Sequence, residues 1–388
     1  MTTSDTFDRG AVTADVAVIG GGIVGSACAW RLAERGLRVA VLEAAPVLGA
    51  GSSGRSGAGV RVQFSEEVNV RLSWESIQEY RTFSERYGSS SGYRPNGYLF
   101  LVPEANWAEH LEGLAVQRRV GAPVDELTPD DAQALVPFIT GGVYRCTYGP
   151  ADGYIDPVAV LTTYLNLAGE RGARLLLDAP VTKVERLREG WQLTTPHGLV
   201  TAPVIVNAAG AWAGAVARLA GLTVPVVPVK RCVYRTLGGN SVRSFPLTVD
   251  TGSNFWLRGH GETIIYTVSK PDQPPGWDEG MDWAWLACVQ DVSRARFPWL
   301  AGLPVDRANS FWGYYETTPD GMPVLGEADD APGWLNACGF SGHGVQQAAA
   351  VGRVVAAEVV GEEPLIDVSA LRLGRFAQPR LRRERHLV

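Results

Sequence analysis

Residues 16–43, VAVIGGGIVGSACAWRLAERGLRVAVLE, decide the fold of this chain. The apolar run Asp15–Ile19 predicts a short buried strand, and the glycine-rich stretch Gly20–Gly25 follows it with the spacing GxGxxG. An alanine-rich helical run then extends to Arg35, and the strand-like Leu37–Leu42 ends on Glu43. A strand, a glycine turn, a helix and a second strand in this order predict a mononucleotide-binding unit.

The three glycines of the motif have separate physical roles. Gly20 makes the tight turn, Gly22 lets a pyrophosphate approach the backbone, and Gly25 lets helix and strand pack closely. The first turn of the helix, beginning at Ile23, offers free N–H groups and the positive end of the helix dipole to the phosphates. Glu43 is placed to accept a hydrogen bond from a ribose hydroxyl, which disfavours a 2′-phosphate there. The stretch therefore predicts a bound adenine dinucleotide.

Length and composition limit the remaining possibilities. A chain of 388 residues, of which 46% are hydrophobic, exceeds the usual size of a single core, so two domains are expected. The net charge of −6 and the absence of a long basic block argue against a nucleic-acid or anionic-membrane partner. The expected partner is a small molecule. The oligomeric state is left open.

The cysteines and the ends of the chain suggest a reducing compartment. Five cysteines are widely spaced, with neither a CxxC motif nor a cluster suited to a metal ion. They are expected to be reduced and mostly buried. The first fourteen residues are polar and no run of about 20 apolar residues occurs, so we expect a cytoplasmic protein with no membrane span. The arginine-rich stretch Arg380–His386 is expected to be a solvated, frayed terminus.

Later segments show the same pattern of buried strands, small-residue turns and apolar helices as residues 16–43. Residues 204–210 predict a buried strand that ends in small residues, and 334–337 predict another, followed by a glycine-rich turn and the apolar helix 345–360. Residues 224–268 are instead β-rich and aromatic. The chain is therefore expected to form a nucleotide-binding domain from residues 12–85, 151–222 and 318–376 and a substrate domain from 86–150 and 223–317. Residues 1–11 and 377–388 are expected to be flexible.

Five motifs together resemble a known family. They are GGGIVG with Glu43, SSGRSGAGVRVQF at 52–64, NAAGAWAG at 207–214, TPDGMPVLG at 318–326 and GFSGHGVQQA at 339–348. In this order they are similar to the D-amino-acid oxidase superfamily, in its sarcosine oxidase and dimethylglycine dehydrogenase-like branch. The resemblance implies an α/β fold: a Rossmann-like FAD-binding domain of the GR2 type, and a second α+β domain built on an antiparallel or mixed sheet. It also implies a bound FAD and oxidation of a C–N bond.

The resemblance further implies which residues contact the cofactor. They lie in the first glycine turn, after the second strand, in the arginine-flanked loop, beside the adenine, in the turn after residue 207 and in the turn before the last helix. The set is Gly20, Gly22, Ile23, Gly25, Glu43, Ala44, Ser53, Arg55, Ser56, Gly57, Gly59, Val181, Ala209, Gly210, Trp212, Gly342, His343, Gly344, Val345 and Gln346. N–H groups at the start of the last helix would stabilise negative charge on a reduced flavin.

Departures from the family pattern bear on the flavin linkage and the electron acceptor. Covalently flavinylated relatives carry a cysteine shortly before the TPD motif or a histidine in the loop after the ribose acid. Here the matching stretches are Trp312–Tyr315 and residues 49–63, with neither residue type, so non-covalent FAD is expected. Sarcosine oxidases have a lysine where this chain has Gln346, and a lysine over the flavin where our alignment places Thr263. The acceptor, oxygen or another oxidant, is left open.

The substrate and catalytic residues allow more than one interpretation. Arg61 could grip a substrate carboxylate with its planar guanidinium, or form a structural ion pair with Glu66 or Glu67. His343 could act as a base or only shape the turn at the cofactor. Aromatic side chains could line the substrate pocket or fill the core. The predicted catalytic set is Arg61, Tyr315, Gln346 and His343, and the predicted substrate contacts are Arg61, Trp256, Tyr266, Trp312 and Tyr315; no metal site is predicted.

The predicted function follows from these features. We expect an FAD-dependent oxidoreductase that oxidises the C–N bond of an amino acid or of a secondary or N-methylated amine, giving an imine. A non-catalytic flavin-binding partner or assembly protein is one alternative, because Gln346 replaces a lysine of the sarcosine oxidases. An NAD-dependent dehydrogenase is another, since it would share the glycine motif and Glu43.

Overall fold

The structure is a computed structural model, and it describes residues 11–239 and 245–386. The expectation that residues 1–10 are flexible lies outside the described residues. The strands, in chain order, are β1 Val12–Thr13, β2 Val16–Ile19, β3 Val39–Leu42, β4 Gly59–Val60, β5 Tyr98–Val102, β6 Asp125–Leu127, β7 Arg145–Gly149, β8 Gly153–Tyr154, β9 Arg174–Leu176, β10 Lys183–Arg186, β11 Trp191–Thr195, β12 Gly198–Ala202, β13 Val204–Asn207, β14 Val227–Arg235, β15 Leu247–Asp250, β16 Phe255–His260, β17 Thr263–Val268, β18 Phe311–Thr317, β19 Val324–Ala328 and β20 Ala331–Cys338.

Ten α-helices connect and cover these strands within the described residues. They are α1 Ile23–Glu34, α2 Glu67–Arg81, α3 Phe83–Tyr87, α4 Glu104–Val120, α5 Pro129–Gln133, α6 Pro157–Glu170, α7 Ala213–Leu219, α8 Leu286–Arg296, α9 Pro298–Ala301 and α10 Gly344–Val360. Short 3₁₀ turns form at Gly210–Trp212, Ser369–Leu371 and Leu373–Ala377. Among the helices described, none combines the length and the apolar character that crossing a bilayer requires.

The chain forms two compact units, each assembled from separated segments. The first contains the chain up to Gly54, Pro157–Val227 and Glu316–Arg382. The second contains Arg55–Asp156, Pro228–Tyr315 and the chain from Arg383 onward. Residues 55–85, which we expected in the nucleotide-binding domain, belong to the second unit. Their strand β4 pairs with β8, and α2 packs against α4 of the same unit.

A six-stranded sheet forms the centre of the first unit. Its strand order is β19-β20-β13-β2-β3-β9, and every neighbouring pair is parallel except β19 with β20. β2 and β3 are buried along their whole length, as strands covered on both faces must be. A four-stranded sheet, β1-β12-β11-β10, contains the predicted hairpin of β11 and β12. The Rossmann-like first half of the fold prediction is confirmed.

Small residues let the helices of the first unit approach one another closely. α1 packs against α10 and α6. A methyl group at Gly352 of α10 would lie 2.6 Å from the carbonyl oxygen of Ala27 in α1. A methyl group at Gly25 would lie only 1.9 Å from the carbonyl oxygen of Gly20. The close packing that the sequence assigns to Gly25 is therefore present.

The second unit is built on an eight-stranded mixed sheet, as expected for the α+β part. Its order is β18-β14-β17-β16-β15-β5-β7-β6, with β15 and β5 parallel. Side chains alternate between its faces. One face carries a core of Phe255, Tyr266, Phe297 and their neighbours, and the other a smaller cluster that includes Phe100, Val233 and Trp256.

The last described residues of the second unit, 383–386, are packed, so the expectation that residues 377–388 are flexible is wrong for this part, whereas residues 387–388 lie outside the described residues. The carboxylate of Glu384 accepts hydrogen bonds from the N–H and hydroxyl of Ser65, at 2.8 and 2.7 Å, and from the amide of Asn69 at 2.9 Å. The ring of His386 stacks on His110 with 4.6 Å between ring centroids. These bonds lie at the start of α2, where a negative charge is favoured by the helix dipole, so the segment is anchored rather than frayed.

Candidate cofactor and substrate sites

The turn between β2 and α1 has the geometry that its glycines predict. Gly20 has φ of +106°, and a methyl group there would lie 2.4 Å from the carbonyl oxygen of Ala208. A methyl group at Gly22 would meet only the hydroxyl of Ser53, at 3.2 Å. No side chain caps α1 at Gly22. The backbone here can therefore be approached closely, and the N-terminus of α1 favours an anion.

Glu43, directly after β3, stabilises this turn through hydrogen bonds. Its carboxylate accepts hydrogen bonds from the N–H of Gly21 at 2.8 Å and of Ala45 at 2.9 Å. Each carboxylate oxygen retains a second lone pair that a ribose hydroxyl could use. Ala44 lies exposed beside it, and Val181 is half-buried shortly after Ala179, whose N–H donates to the carbonyl of Glu43. The predicted ribose and adenine residues therefore lie along one edge of the first unit.

Two further predicted contacts lie near the α1 turn. The hydroxyl of Ser53 accepts a hydrogen bond from the N–H of Ile23 at 3.0 Å, so the loop after Glu43 folds back on the helix start. Ala209 follows Ala208, whose N–H donates to the carbonyl of Ile19. Gly210 has φ of +55°, and the exposed ring of Trp212 lies near Gly51. β2, β3 and β13 thus bring these residues to the same sheet edge.

A second glycine-rich turn precedes α10. Gly339, Ser341 and Gly342 all have positive φ, of +77°, +51° and +94°. A methyl group at Gly339 would lie 2.5 Å from Thr318. His343 is the N-terminal cap residue of α10, with its N–H donating to the carbonyl of Phe340, and it is 6% exposed. Its main chain therefore forms part of the turn, and its role as a base or as a structural residue stays a prediction.

The first turn of α10 contains the other predicted residues of this group. Gly344 begins the helix, and Val345 and Gln346 follow it, both buried. The N–H of Gln346 donates to the carbonyl of His343 at 3.0 Å. Gln346 therefore occupies a buried position at the helix start.

Glu316 holds this second turn, and the sequence analysis missed it. Its carboxylate accepts hydrogen bonds from the N–H of Gly339, at 2.8 Å, and of Phe340. Its main-chain carbonyl accepts from the N–H of Ser341 at 3.0 Å. Burial raises the pKa of Glu316 to about 7, although the two N–H groups act in the opposite direction. An acid two residues before the TPD motif was the signal that could have identified it.

These residues fit an FAD molecule. The glycine at position 22 leaves room where a side chain would obstruct a pyrophosphate, and Glu43 carries free acceptor capacity for a ribose. The N-terminus of α10 adds a second place where the same unit favours negative charge. Gly20, Gly22, Ile23 and Glu43 would hold the dinucleotide, and residues 342–346 the flavin.

The predicted loop residues from Arg55 onward belong to the second unit. The guanidinium of Arg55 lies over the ring of Trp312, 4.7 Å from its centroid, and the hydroxyl of Ser56 accepts from the N–H of Ala58. A methyl group at Gly57 would lie 2.9 Å from Trp256, and one at Gly59 would lie 2.9 Å from Leu247. Glycine at both positions lets the loop lie flat on the sheet.

Arg61 is fully buried and is held by backbone carbonyls. Its guanidinium donates to the carbonyl oxygens of Gln63 and His386 and lies over the ring of Phe64 at 4.0 Å. Burial lowers the pKa of Arg61. Of the two acids named as possible ion-pair partners, Glu67 instead pairs with Arg71 and Arg119. Carboxylate binding by Arg61 remains a prediction, and these backbone bonds do not support it.

The predicted aromatic substrate contacts do not lie together. Trp256 lies on the face of the sheet with Val233, whereas Tyr266 is buried among core aromatics on the opposite face. Trp312 and Tyr315 are both half-buried on β18, on opposite sides of the strand because strand side chains alternate. The core-filling interpretation describes Tyr266. Trp256 and Tyr315 remain candidates for substrate contact.

A buried polar network near Arg61 was also missed. The side chain of Asp152, fully buried, accepts from the N–H of Val62 at 2.9 Å and from the amide of Gln63 at 3.3 Å. Gln63 in turn accepts from the hydroxyl of Thr147, which bonds to His110. Burial raises the pKa of Asp152 to about 8. The network holds the irregular segment after β4 that contains Arg61. Its members lie too far apart in the sequence for a motif to reveal them.

Comparison with known proteins gives relatives along nearly the whole chain. Human mitochondrial sarcosine dehydrogenase is 28% identical over 384 residues, covering 94% of this chain and 41% of that protein. FAD-dependent oxidoreductase domain-containing protein 1 of Xenopus laevis is 30% identical, covering 97% and 85%. The crystal structure of L-proline dehydrogenase from P. horikoshii has a TM-score of 0.89 at 30% identity, covering 96% of this chain and all of that one. The chain spans about two fifths of the sarcosine dehydrogenase relative.

The family model named DAO, FAD dependent oxidoreductase, matches residues 15–358. The match includes both glycine turns, Glu43 and Glu316. It favours FAD over a nicotinamide cofactor, which was one of the alternatives. This chain belongs to the DAO family of FAD-dependent oxidoreductases.

Proposed function

We propose that this protein oxidises the C–N bond of an amino acid or of a secondary or N-methylated amine. The observation that carries the proposal is the second glycine turn, before α10, in the same unit as the dinucleotide turn. A nicotinamide enzyme would use only the first of these turns. Sarcosine, dimethylglycine and proline, which appear in the names of relatives, each combine a substituted amine with a carboxylate.

The reaction breaks a C–H bond next to nitrogen. FAD, held by the first glycine turn, Glu43 and residues 342–346, would supply the acceptor for the hydrogen and its two electrons as a hydride. The nitrogen lone pair forms the new C=N bond, and water then hydrolyses the resulting iminium ion to a carbonyl compound and an amine. An electron acceptor, oxygen or another oxidant, completes the turnover. The residues of this chain have to bind the amine, orient it and keep it neutral.

Positive charges in the second unit favour the neutral form of the substrate amine. Two guanidinium groups, Arg61 and Arg231, act electrostatically on Tyr315, and burial raises the pKa of Tyr315 so that its phenol stays neutral. A positive charge close to a substrate ammonium lowers its pKa and favours the form that can lose a hydride. The same charges attract a carboxylate. The substrate class we propose is therefore an amino acid whose nitrogen is free or alkylated.

The test is anaerobic mixing of the purified holoprotein with amines, followed by the flavin absorbance near 450 nm. Sarcosine, dimethylglycine, L-proline and 4-methylaminobutanoate are the first candidates, and the matching hydroxy acids glycolate and lactate are controls that lack nitrogen. We expect at least one amine to bleach the flavin and the hydroxy acids to leave it oxidised. A flavin that stays oxidised with every amine would favour the non-catalytic partner.

Two additions to this assay define the cofactor and the acceptor. Acid denaturation followed by centrifugation should leave FAD in the supernatant, because the stretch Trp312–Tyr315 contains no cysteine. Flavin that pellets with the protein would contradict non-covalent binding. Reoxidation in air, with peroxide measured, separates an oxidase from a dehydrogenase.

A further inference from the structure

Another arginine of the second unit, Arg231, has a hydrogen-bond donor without an acceptor, whereas Arg61 donates to two backbone carbonyls. It lies on β14, and strand alternation puts its side chain on the same face as Val233 and Trp256. Its guanidinium lies over the ring of Tyr315, 5.4 Å from the centroid. β14 and β18 are neighbours in the sheet, so both side chains are fixed by rigid strands.

The hydrogen-bond donors of Arg231 are only partly satisfied within the described residues. One terminal nitrogen donates to the adjacent carbonyl of Lys230 at 3.2 Å. The Nε–H is buried and has no hydrogen-bond partner among the described residues. Burial lowers the pKa of Arg231, and the group that opposes this effect is Tyr315 rather than a carboxylate. A half-buried guanidinium whose buried Nε–H is unsatisfied, and which has no ion pair among the described residues, calls for an acceptor from outside the chain.

Two buried arginines of this unit, Arg61 and Arg258, already have acceptors. Arg61 donates to two backbone carbonyls. Arg258 donates to the carbonyls of Gly57, at 2.6 Å, and Gly259, at 2.8 Å. Arg235, four residues after Arg231 on the same strand face, also has a buried Nε without a partner among the described residues, but it acts electrostatically on Arg258 and His260. It therefore belongs to a different place on the sheet.

We propose that Arg231, together with the hydroxyl of Tyr315, binds the carboxylate of the substrate. The guanidinium presents Nε–H and a terminal N–H along one edge, which matches the two oxygens of a carboxylate. The hydroxyl of Tyr315 has no hydrogen-bond partner among the described residues and can donate a third bond. The inference rests on the proposed function and narrows it: carboxylate-bearing amines are bound, and simple alkyl amines are not.

The binding test uses benzoate and acetate as carboxylate probes and benzamide as the neutral control. Their affinities for the FAD-loaded protein are measured by titration calorimetry. We expect both carboxylates to bind and benzamide not to bind. Arg231→Met, which keeps the length and bulk of the side chain, should weaken benzoate at least tenfold. Arg231→Lys should restore part of the affinity, because it keeps the charge and loses the paired donors.

Two further variants keep the test decisive. Tyr315→Phe removes one hydroxyl and should weaken benzoate about threefold to tenfold, and it can be used if Arg231→Met does not fold. Arg235→Met is the matched control on the same strand and should bind benzoate like the wild type. Equal benzoate affinities for wild type, Arg231→Lys and Tyr315→Phe would overturn the proposal, as would a wild type that binds neither carboxylate.

Kinetics separate this proposal from the proposed function. With an amine that bleaches the flavin, Arg231→Lys should raise KM at least tenfold and change kcat less. If no amine bleaches the flavin but benzoate still binds through Arg231, the carboxylate site stands and amine oxidation fails. If amines are oxidised with the same KM by wild type and Arg231→Lys, amine oxidation stands and the carboxylate site fails.

Discussion

Each glycine turn of the first unit is held by a carboxylate from outside the turn, and burial raises the pKa of the carboxylate at the second turn. The turn before α1 is held by acceptors at its flanks, with Glu43 bonded to Gly21 and Ser53 bonded to Ile23, and no acid lies in the first helical turn. The turn before α10 is held by Glu316 of β18, whose carboxylate accepts from its N–H groups and whose pKa is raised by burial to about 7.

The two turns are expected to face ligand groups of different charge: the phosphates carry a fixed negative charge, and the charge of the flavin changes on reduction. Phosphates stay negative at every physiological pH, so the α1 turn needs only space and the N-terminus of a helix. A flavin gains negative charge when it is reduced, so a titratable acid at the α10 turn can influence how readily that happens. The α1 turn should therefore determine whether FAD binds, and the α10 turn should determine how FAD behaves.

The strongest effect is expected at the support of the second turn, the buried pair of Arg375 and Asp320. Their two bonds are 2.7 and 3.1 Å long. Asp320 also accepts from Thr318, whose N–H donates to Ser341 in the turn. Arg375→Met should lower the free energy of unfolding by about 3–5 kcal/mol, because it leaves a buried carboxylate unpaired. Urea denaturation measures this, and the double variant with Asp320→Asn should recover most of the loss. A stability equal to wild type would contradict the interpretation.

Gly22→Val tests the first turn. The φ of −68° suits valine, and its Cβ would meet only Ser53, so the protein should fold while the pyrophosphate is obstructed. We expect FAD to bind about 100-fold more weakly, which corresponds to ~2.7 kcal/mol. Fluorescence titration of the apoprotein measures it. Gly36→Ala is the control, with φ of +81° and nothing within 4 Å of its new methyl group. It should cost about 1 kcal/mol in stability and leave FAD affinity unchanged.

Glu316→Gln sharpens the claim about variable charge. Since burial raises the pKa of Glu316 to about 7, the residue is neutral well below that pH and negative above it. An ionised Glu316 disfavours the reduced flavin, so the variant should raise the midpoint potential at pH 8.5 by about 30 mV, the equivalent of ~1.4 kcal/mol for two electrons. At pH 5.5 the two proteins should have equal potentials. Potentials that differ by the same amount at both pH values would count against titration of Glu316.

Ser53→Ala should have the smallest effect. It removes one hydrogen bond to the N–H of Ile23, a change of about 1 kcal/mol. FAD should bind roughly fivefold more weakly, as measured by the same titration. Ser53→Thr keeps the hydroxyl and should restore the affinity. If both variants bind FAD like the wild type, the hydroxyl does not hold the turn.

Local sequence predicted the first turn well because all its parts lie close together in the chain. The glycine spacing and Glu43 at the end of the second strand belong to one βαβ unit, and their contacts follow from backbone geometry. The second turn was predicted in part. Its glycines were visible, but Glu316 bonds to N–H groups on the far side of β19 and β20. Such a contact depends on tertiary structure.

The second unit was harder to predict for the same reason. Arg61 donates to the carbonyl of His386, at the other end of the chain, and its sequence neighbours do not reveal this contact. Arg231 was overlooked although the alternation of Val229, Arg231 and Val233 puts a charge on an apolar strand face. The boundary after Gly54 falls within one glycine-rich loop, where composition does not change.

The strand order of the first sheet has a consequence for biosynthesis. β13 lies between β2 and β20, so the centre of the sheet combines segments from the early, middle and late parts of the chain. A ribosome delivers β20 last, and until then β13 exposes an apolar edge on the nascent polypeptide. Pairing between such distant segments is slow, and exposed edges invite aggregation. Cofactor loading should therefore follow the completion of translation, and slower synthesis at low temperature should improve the yield of yellow protein.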